Sequence, residues 1–126
     1  RMVAPMAHDR LSTFYRAADV CVIPSWSESF GLVALEAAAC GVPVVAASVG
    51  GLTTLVDDGC TGYLVEGRDP GAYAARLRDL LTDADRAAEM GWAAWQRARG
   101  YTWTAAASAL RGVEDRLATR ALVACR

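Results

Sequence analysis

The spacing of apolar and polar positions changes several times along the chain, and each change predicts an element. Residues 9–18 (DRLSTFYRAA) set Leu11, Phe14, Tyr15 and Ala18 at the i, i+3, i+4, i+7 spacing of one helical face. Val20–Pro24 is a short continuous apolar run, as expected of a strand buried on both faces of a parallel sheet. A polar loop follows, Ser25-Trp26-Ser27-Glu28-Ser29, and then a helix from about Phe30 to Cys40, closed by Gly41 with Pro43 shortly after. Pro43–Ala47 is the second buried strand and Gly62–Glu66 the third. Between them Gly50-Gly51 opens a turn, Leu52–Val56 forms a short helical segment, and Asp57-Asp58-Gly59 turns the chain again. Gly67 and Asp69-Pro70 end the third strand. From Gly71 onward the pattern is helical, over about 71–82, 84–99 and 104–122, while Met2–Pro5 reads as the tail of an earlier strand.

Strands alternating with helices at this spacing imply βαβ units, and hence a parallel sheet covered by helices. Three strands are too few for a complete doubly wound sheet. The expected fold is therefore α/β: the C-terminal half of a Rossmann-like domain with parallel strands, followed by a helical tail. Residues 1–100 form the partial domain and residues 101–126 a C-terminal helix, and the whole is expected to be a piece of a larger protein.

Composition narrows this picture. The 126 residues fit one domain at most, and 54% of them are hydrophobic. A formal charge of -1 gives no electrostatic case for a nucleic-acid partner, although all thirteen basic residues are arginine. No apolar run reaches the roughly 18 to 20 residues of a membrane span, and residues 1–5 lack the apolar stretch of a signal peptide. Cys21, Cys40, Cys60 and Cys125 show no CxxC spacing, and the single histidine, His8, has no second ligand beside it in the sequence. The expectation is inert thiols in a reducing cytoplasm and no metal or cofactor.

The informative chemistry lies in Glu28-Ser-Phe-Gly-Leu-Val-Ala-Leu-Glu36. Glu36 falls in a helix that is apolar nearly all round, a pattern that predicts burial. A carboxylate there must be hydrogen-bonded. By itself it fits equally well a satisfied internal pair bonded to a loop backbone. Glu28, however, lies in the loop after the C-terminal end of a buried strand, where ligands bind in open α/β sheets. With Ser29 as N-cap, the amides of Phe30, Gly31 and Leu32 would be free at a helix N-terminus, a setting that suits anions and oxygen acceptors. Eight helical steps put the two carboxylates roughly 10 to 12 Å apart. That is the reach from a sugar ring, across a diphosphate, to a ribose. Both ends of such a ligand offer diols to carboxylate acceptors.

The E-x7-E spacing of Glu28 and Glu36 within PSWSESFGLVALEAAACGVPVVA resembles the retaining glycosyltransferases of the GT-B fold (group 1, family 4 type). VGGLTTLVDDGCTGYLV resembles the loop and strand that come next in those enzymes, and LSTFYRAADVCVIPS the segment before, so the likeness runs over about residues 5–100. The resemblance implies that Glu28 binds donor-sugar hydroxyls and is the residue closest to catalysis. It further implies that Glu36 binds the ribose diol and that the amides around Phe30, Gly31 and Leu32 hold sugar and diphosphate. The Pro5-Met6 loop, which also holds His8, would lie near the base, and Gly50 and Gly51 would shape the loop bordering the donor. Within the family, SESFGLVALEA-x-ACG-x-PVVAA-x-VGGL and LVEGRDP look most like the actinobacterial D-inositol-3-phosphate glycosyltransferases, implying a UDP-sugar donor such as UDP-N-acetylglucosamine. Thr53 stands where many relatives have proline, and Thr54 or Leu55 where many have an acidic residue.

On this resemblance the partners are a nucleotide-sugar donor, a small-molecule or lipid or polysaccharide acceptor, and an N-terminal domain of the same enzyme. The nucleotide sugar is a substrate, so no cofactor is expected. Arg10, Arg16 and Arg68 occupy helix or turn positions and form no evident diphosphate clamp. A non-catalytic nucleotide-sugar-binding module and a sugar-nucleotide 2-epimerase of the same architecture are the competing readings.

Overall fold

The computed structural model describes residues 3–124. Its elements run α1 (His8–Arg16), β1 (Cys21–Ile23), α2 (Leu32–Ala39), β2 (Val44–Ala47), α3 (Leu52–Leu55), β3 (Gly62–Val65), α4 (Pro70–Thr82), α5 (Ala84–Ala98) and α6 (Trp103–Ala124). The three strands pair in parallel in the order β1-β2-β3, with Cys21 opposite Val44 and Val44 opposite Gly62. The fold is thus the expected α/β half-sheet followed by helices.

Alternate residues of a strand face opposite sides, so the central strand feeds two cores. Val44 and Ala46 join Ile23, Ala34, Ala37, Leu52 and Leu55 on the side of α2 and α3. Val45 joins Tyr63, Val65, Leu80 and Met90 on the side of α4 and α5. All four residues of β2 are buried. The first strand departs from the expectation of burial on both faces: it is an edge strand, and Val22 is 42% exposed. An apolar run signals a buried strand only where neighbours cover both of its faces, and one face of β1 is open here. Residues 3–7 are irregular and form no strand tail, and Met2 lies outside the described residues.

Local chemistry sets the helix ends. The second helix closes in a Schellman arrangement, with Gly41 N–H donating to Ala38 O (2.9 Å) and Val42 N–H to Ala37 O (3.0 Å), and Gly41 at φ +76°. The fourth opens on Asp69, whose carboxylate accepts from Gly71 N–H at 3.0 Å with Pro70 in the first turn, and the fifth on Asp83, which accepts from Arg86 N–H at 3.0 Å. In α6, Trp103, Leu110 and Leu117 are all well exposed. Among the described residues no helix is long and apolar enough to cross a membrane. The thiols of Cys21, Cys40 and Cys60 are free, and burial pushes the Cys21 thiol up; Cys125 lies outside the described residues.

Candidate functional site

The loop joining β1 to α2 folds back on its own carboxylate. Glu28 Oε1 accepts from Gly31 N–H at 3.1 Å and, at a longer 3.4 Å, from Phe30 N–H. The helix begins at Leu32, and its N-cap is Gly31 in the left-handed region (φ +96°) with no side-chain cap. Ser29 is therefore not the cap, and two of the three amides expected to be free are engaged by Glu28. The helical rise applies only from Leu32 to Glu36, because residues 28–31 turn instead of climbing, so the two carboxylates are not separated by eight helical steps. Gly31 is buried, and a Cβ there would press to 3.0 Å from the side chains of Leu52 and Leu55.

The loop after β2 lies backbone-to-backbone on this turn. Gly51 N–H donates to Glu28 O at 2.9 Å. A Cβ on Gly50 would overlap the Glu28 carbonyl oxygen, and one on Gly51 would come within 2.5 Å of Phe30 Cα. Gly50 also sits at φ +48°. The two glycines thus form the seat on which the Glu28 turn rests. Across the loop, the Arg68 guanidinium stacks 3.2 Å over the exposed Trp26 ring and donates to Pro24 O at 3.3 Å. Phe30 meets Tyr101 edge-to-face at 6.1 Å between centroids.

Glu36 is held differently. Its helix buries Ala34 and Ala37 but leaves Leu32 and Val33 exposed, so the expectation of a helix buried all round is corrected. The Glu36 side chain keeps 30% of its surface, and its Oε2 accepts a 2.8 Å hydrogen bond from the Tyr15 hydroxyl on α1. His8 Nε2 lies 3.8 Å from the other oxygen, Oε1. Met6 is half-buried and Pro5 exposed in the irregular stretch that leads into α1, two and three residues before His8. Burial and the neighbouring Glu36 carboxylate push the Tyr15 phenol well up, which keeps it a protonated donor.

The structure thus brings Glu28, Phe30, Gly31, Gly50 and Gly51 into one turn, and gathers Glu36 and His8 at the junction of α1 and α2. Three residues beyond the sequence-based set belong here. Tyr15 fits the apolar face of its helix, but a part-buried tyrosine hydroxyl needs a partner, and that was the available signal. The Arg68–Trp26 pair carries no signal in spacing, since the residues lie on separate loops. Among the described residues no cluster of three His, Cys, Asp or Glu side chains is placed to hold a metal ion.

The sequence and fold are shared with known proteins. Residues 1–97 match the family described as glycosyl transferases group 1. The D-inositol 3-phosphate glycosyltransferase 2 of Catenulispora acidiphila is 51% identical over 125 residues, covering 95% of this chain and 29% of that protein. The chain therefore spans about three-tenths of the length of that curated relative. Among solved structures, sucrose-phosphate synthase from Thermosynechococcus elongatus superposes with a TM-score of 0.83 at 39% identity, over 94% of this chain and 30% of that one. The Anabaena protein HepE, solved in complex with UDP-glucose, superposes with a TM-score of 0.65 at 32% identity, over 68% of this chain and 24% of that one. With its parallel half-sheet of the GT-B type and a family match over most of its length, the chain belongs to the group 1 glycosyltransferases.

Proposed function

We propose that this chain supplies the donor site of a retaining glycosyltransferase that moves a sugar from a UDP-sugar to an acceptor hydroxyl. The observation that carries this reading is the Glu28 turn: a carboxylate anchored by one oxygen on the amides before α2, seated on the Gly50-Gly51 backbone. Oε1 of Glu28 is engaged by those amides, and its second oxygen is the acceptor offered to a sugar hydroxyl. Such a clamp orients the sugar without attacking it. Orientation of this kind is worth large factors in rate, because small misplacements of a reacting group are expensive. Leu32 N–H, at the start of α2, adds the partial positive charge of a helix N-terminus on the diphosphate side.

Glu36 takes the ribose diol, and the Met6 stretch next to it lies toward the base. The HepE complex with UDP-glucose supports a UDP-sugar, and N-acetylglucosamine is the transferred sugar that the sequence resemblance implies. The nucleotide sugar is consumed as a substrate, and no cofactor enters. In transfer with retention the acceptor oxygen bonds to the anomeric carbon on the face the diphosphate leaves. The acceptor proton passes to a departing phosphate oxygen, so Glu28 forms no covalent bond. Acceptor and diphosphate clamp belong to the rest of the enzyme.

The test is UDP titration of the full-length enzyme carrying Glu36→Ala. Loss of charge-assisted bonds to the ribose weakens UDP binding by about 1 to 3 kcal/mol. Equal affinity in variant and parent removes the ribose assignment.

A further inference from the structure

Glu36 is the only polar side chain in a helix of sequence LVALEAAA. Its neighbours one turn away are Leu32 and Val33 before it and Ala39 and Cys40 after it, and none offers a strong hydrogen-bond donor. A glutamate so placed has no partner within its own helix and several rotatable bonds. Yet one of its oxygens is fixed, because Tyr15 reaches across from α1, 21 residues earlier, to donate at 2.8 Å. The Tyr15 ring packs against the core cluster of Ile23, Ala34 and Ala37, so the hydroxyl is delivered from a rigid base. Among the described residues the other oxygen meets His8, at 3.8 Å, whose own side chain is 81% exposed. That separation exceeds a hydrogen bond, so Oε1 has no hydrogen-bond partner among the described residues.

We propose that Tyr15 is a positioning residue: by occupying Oε2 of Glu36 it fixes the carboxylate with Oε1 presented to a ribose hydroxyl of the donor nucleotide. The inference rests on the ribose role of Glu36 given above. Tyr15 touches no part of the donor and acts through Glu36 alone. Burial and the adjacent carboxylate hold the phenol protonated across the working pH range, so the bond persists there.

The test uses the full-length enzyme with Tyr15→Phe, which keeps the ring and removes the hydroxyl. Freeing one carboxylate side chain that must be re-immobilised on binding raises the UDP Kd and donor KM roughly 3- to 10-fold. At saturating donor, kcat stays within about twofold, because sugar and acceptor are untouched. In a Glu36→Ala background the same substitution adds nothing, since there is no carboxylate left to position. An equal loss in both backgrounds overturns the proposal in favour of simple packing by Tyr15. So does a Tyr15→Phe enzyme that binds UDP like the parent while Glu36→Ala does not. If Glu36→Ala itself binds UDP like the parent, the ribose role has failed, and the positioning role with it. Should Tyr15→Phe fold poorly, UDP is titrated into its folded fraction below the melting transition, where the same rise in Kd is expected. Parent-like UDP binding by that fraction, beside weakened binding by Glu36→Ala, overturns the proposal.

Discussion

Glu28 and Glu36 are eight positions apart on one segment, but the molecule holds them by opposite means. Glu28 belongs to a turn, and its partners are the backbone amides two and three residues ahead, with a second backbone lying against its carbonyl. Glu36 belongs to a helix whose own surface offers it nothing, and its partner is a side chain on another helix. The first carboxylate is thus fixed by main-chain geometry that any change of backbone would disturb. The second is fixed by a single side-chain hydroxyl that can be removed while the backbone stays intact. A locally held group depends on glycines, and a remotely held one depends on packing between α1 and α2.

The sharpest way to break this comparison is at the seat of the turn. Alanine at Gly51 would bring its Cβ within 2.5 Å of Phe30 Cα, which is backbone and cannot swing aside. We expect Gly51→Ala to lower turnover of the full-length enzyme by about 100-fold or more, since the Glu28 turn must shift by a fraction of an ångström or further. Gly59 supplies the contrast: it sits at φ +77°, and a Cβ there would meet nothing within 4 Å. Gly59→Ala therefore carries only the left-handed backbone penalty, about 1 to 2 kcal/mol of stability, with turnover per folded molecule unchanged. Melting curves and turnover on the two variants together check both; comparable turnover losses would remove the special role of the seat.

Next in size is the Glu28 carboxylate. Glu28→Gln keeps an oxygen able to accept from Gly31 N–H but loses the charge, so the turn survives while the sugar is held less firmly. Turnover is expected to fall roughly 10- to 100-fold with UDP affinity within about twofold of the parent. Intact mass distinguishes the mechanism, because a nucleophilic carboxylate would accumulate a glycosyl adduct in the parent enzyme. Unchanged turnover would reduce Glu28 to a residue that merely closes the turn.

Much of the fold was legible because its signals are local. The strands at 44–47 and 62–65 and the helices at 70–82 and 84–98 lie where short apolar runs, helical periodicity and turn residues put them, and those signals act over a few residues. What escaped was set by neighbours distant in sequence. Val22 reads as core by composition, and only the position of its strand at the edge of the sheet exposes it. Leu32 and Val33 read as buried for the same reason. Ser29 has the right chemistry for an N-cap, but the Glu28 carboxylate takes the amides first and moves the helix start to Leu32. Of the site, the loop and its glutamate were legible, but the turn of Glu28 onto the Gly31 amide was not, because Ser29 offered a plausible cap one residue later. The tyrosine on Glu36 was not, because its partner lies on another helix.

The smallest effect tests whether the Glu28 turn has an outer tether as well as a seat. Arg68 stacks on Trp26, two residues before Glu28, and also reaches the Pro24 carbonyl, so it spans the loop from the far side. Both groups are exposed, and a stack of this kind contributes about 0.5 to 1 kcal/mol. Arg68→Ala should lower stability by no more than that and slow turnover only about two- to fivefold, through a looser Glu28. UDP affinity should not change, because Glu36 is held from α1 and does not depend on this loop. Arg68→Lys should fall nearer to alanine than to the parent, since an ammonium keeps the charge but lacks the planar face that stacks on indole. The opposite ranking would be decisive against a tether. If alanine weakened UDP binding more than it slowed turnover, and lysine restored it, Arg68 would be acting by charge on the diphosphate. The division between a backbone-held sugar site and a side-chain-held nucleotide site would then fail at its outer edge.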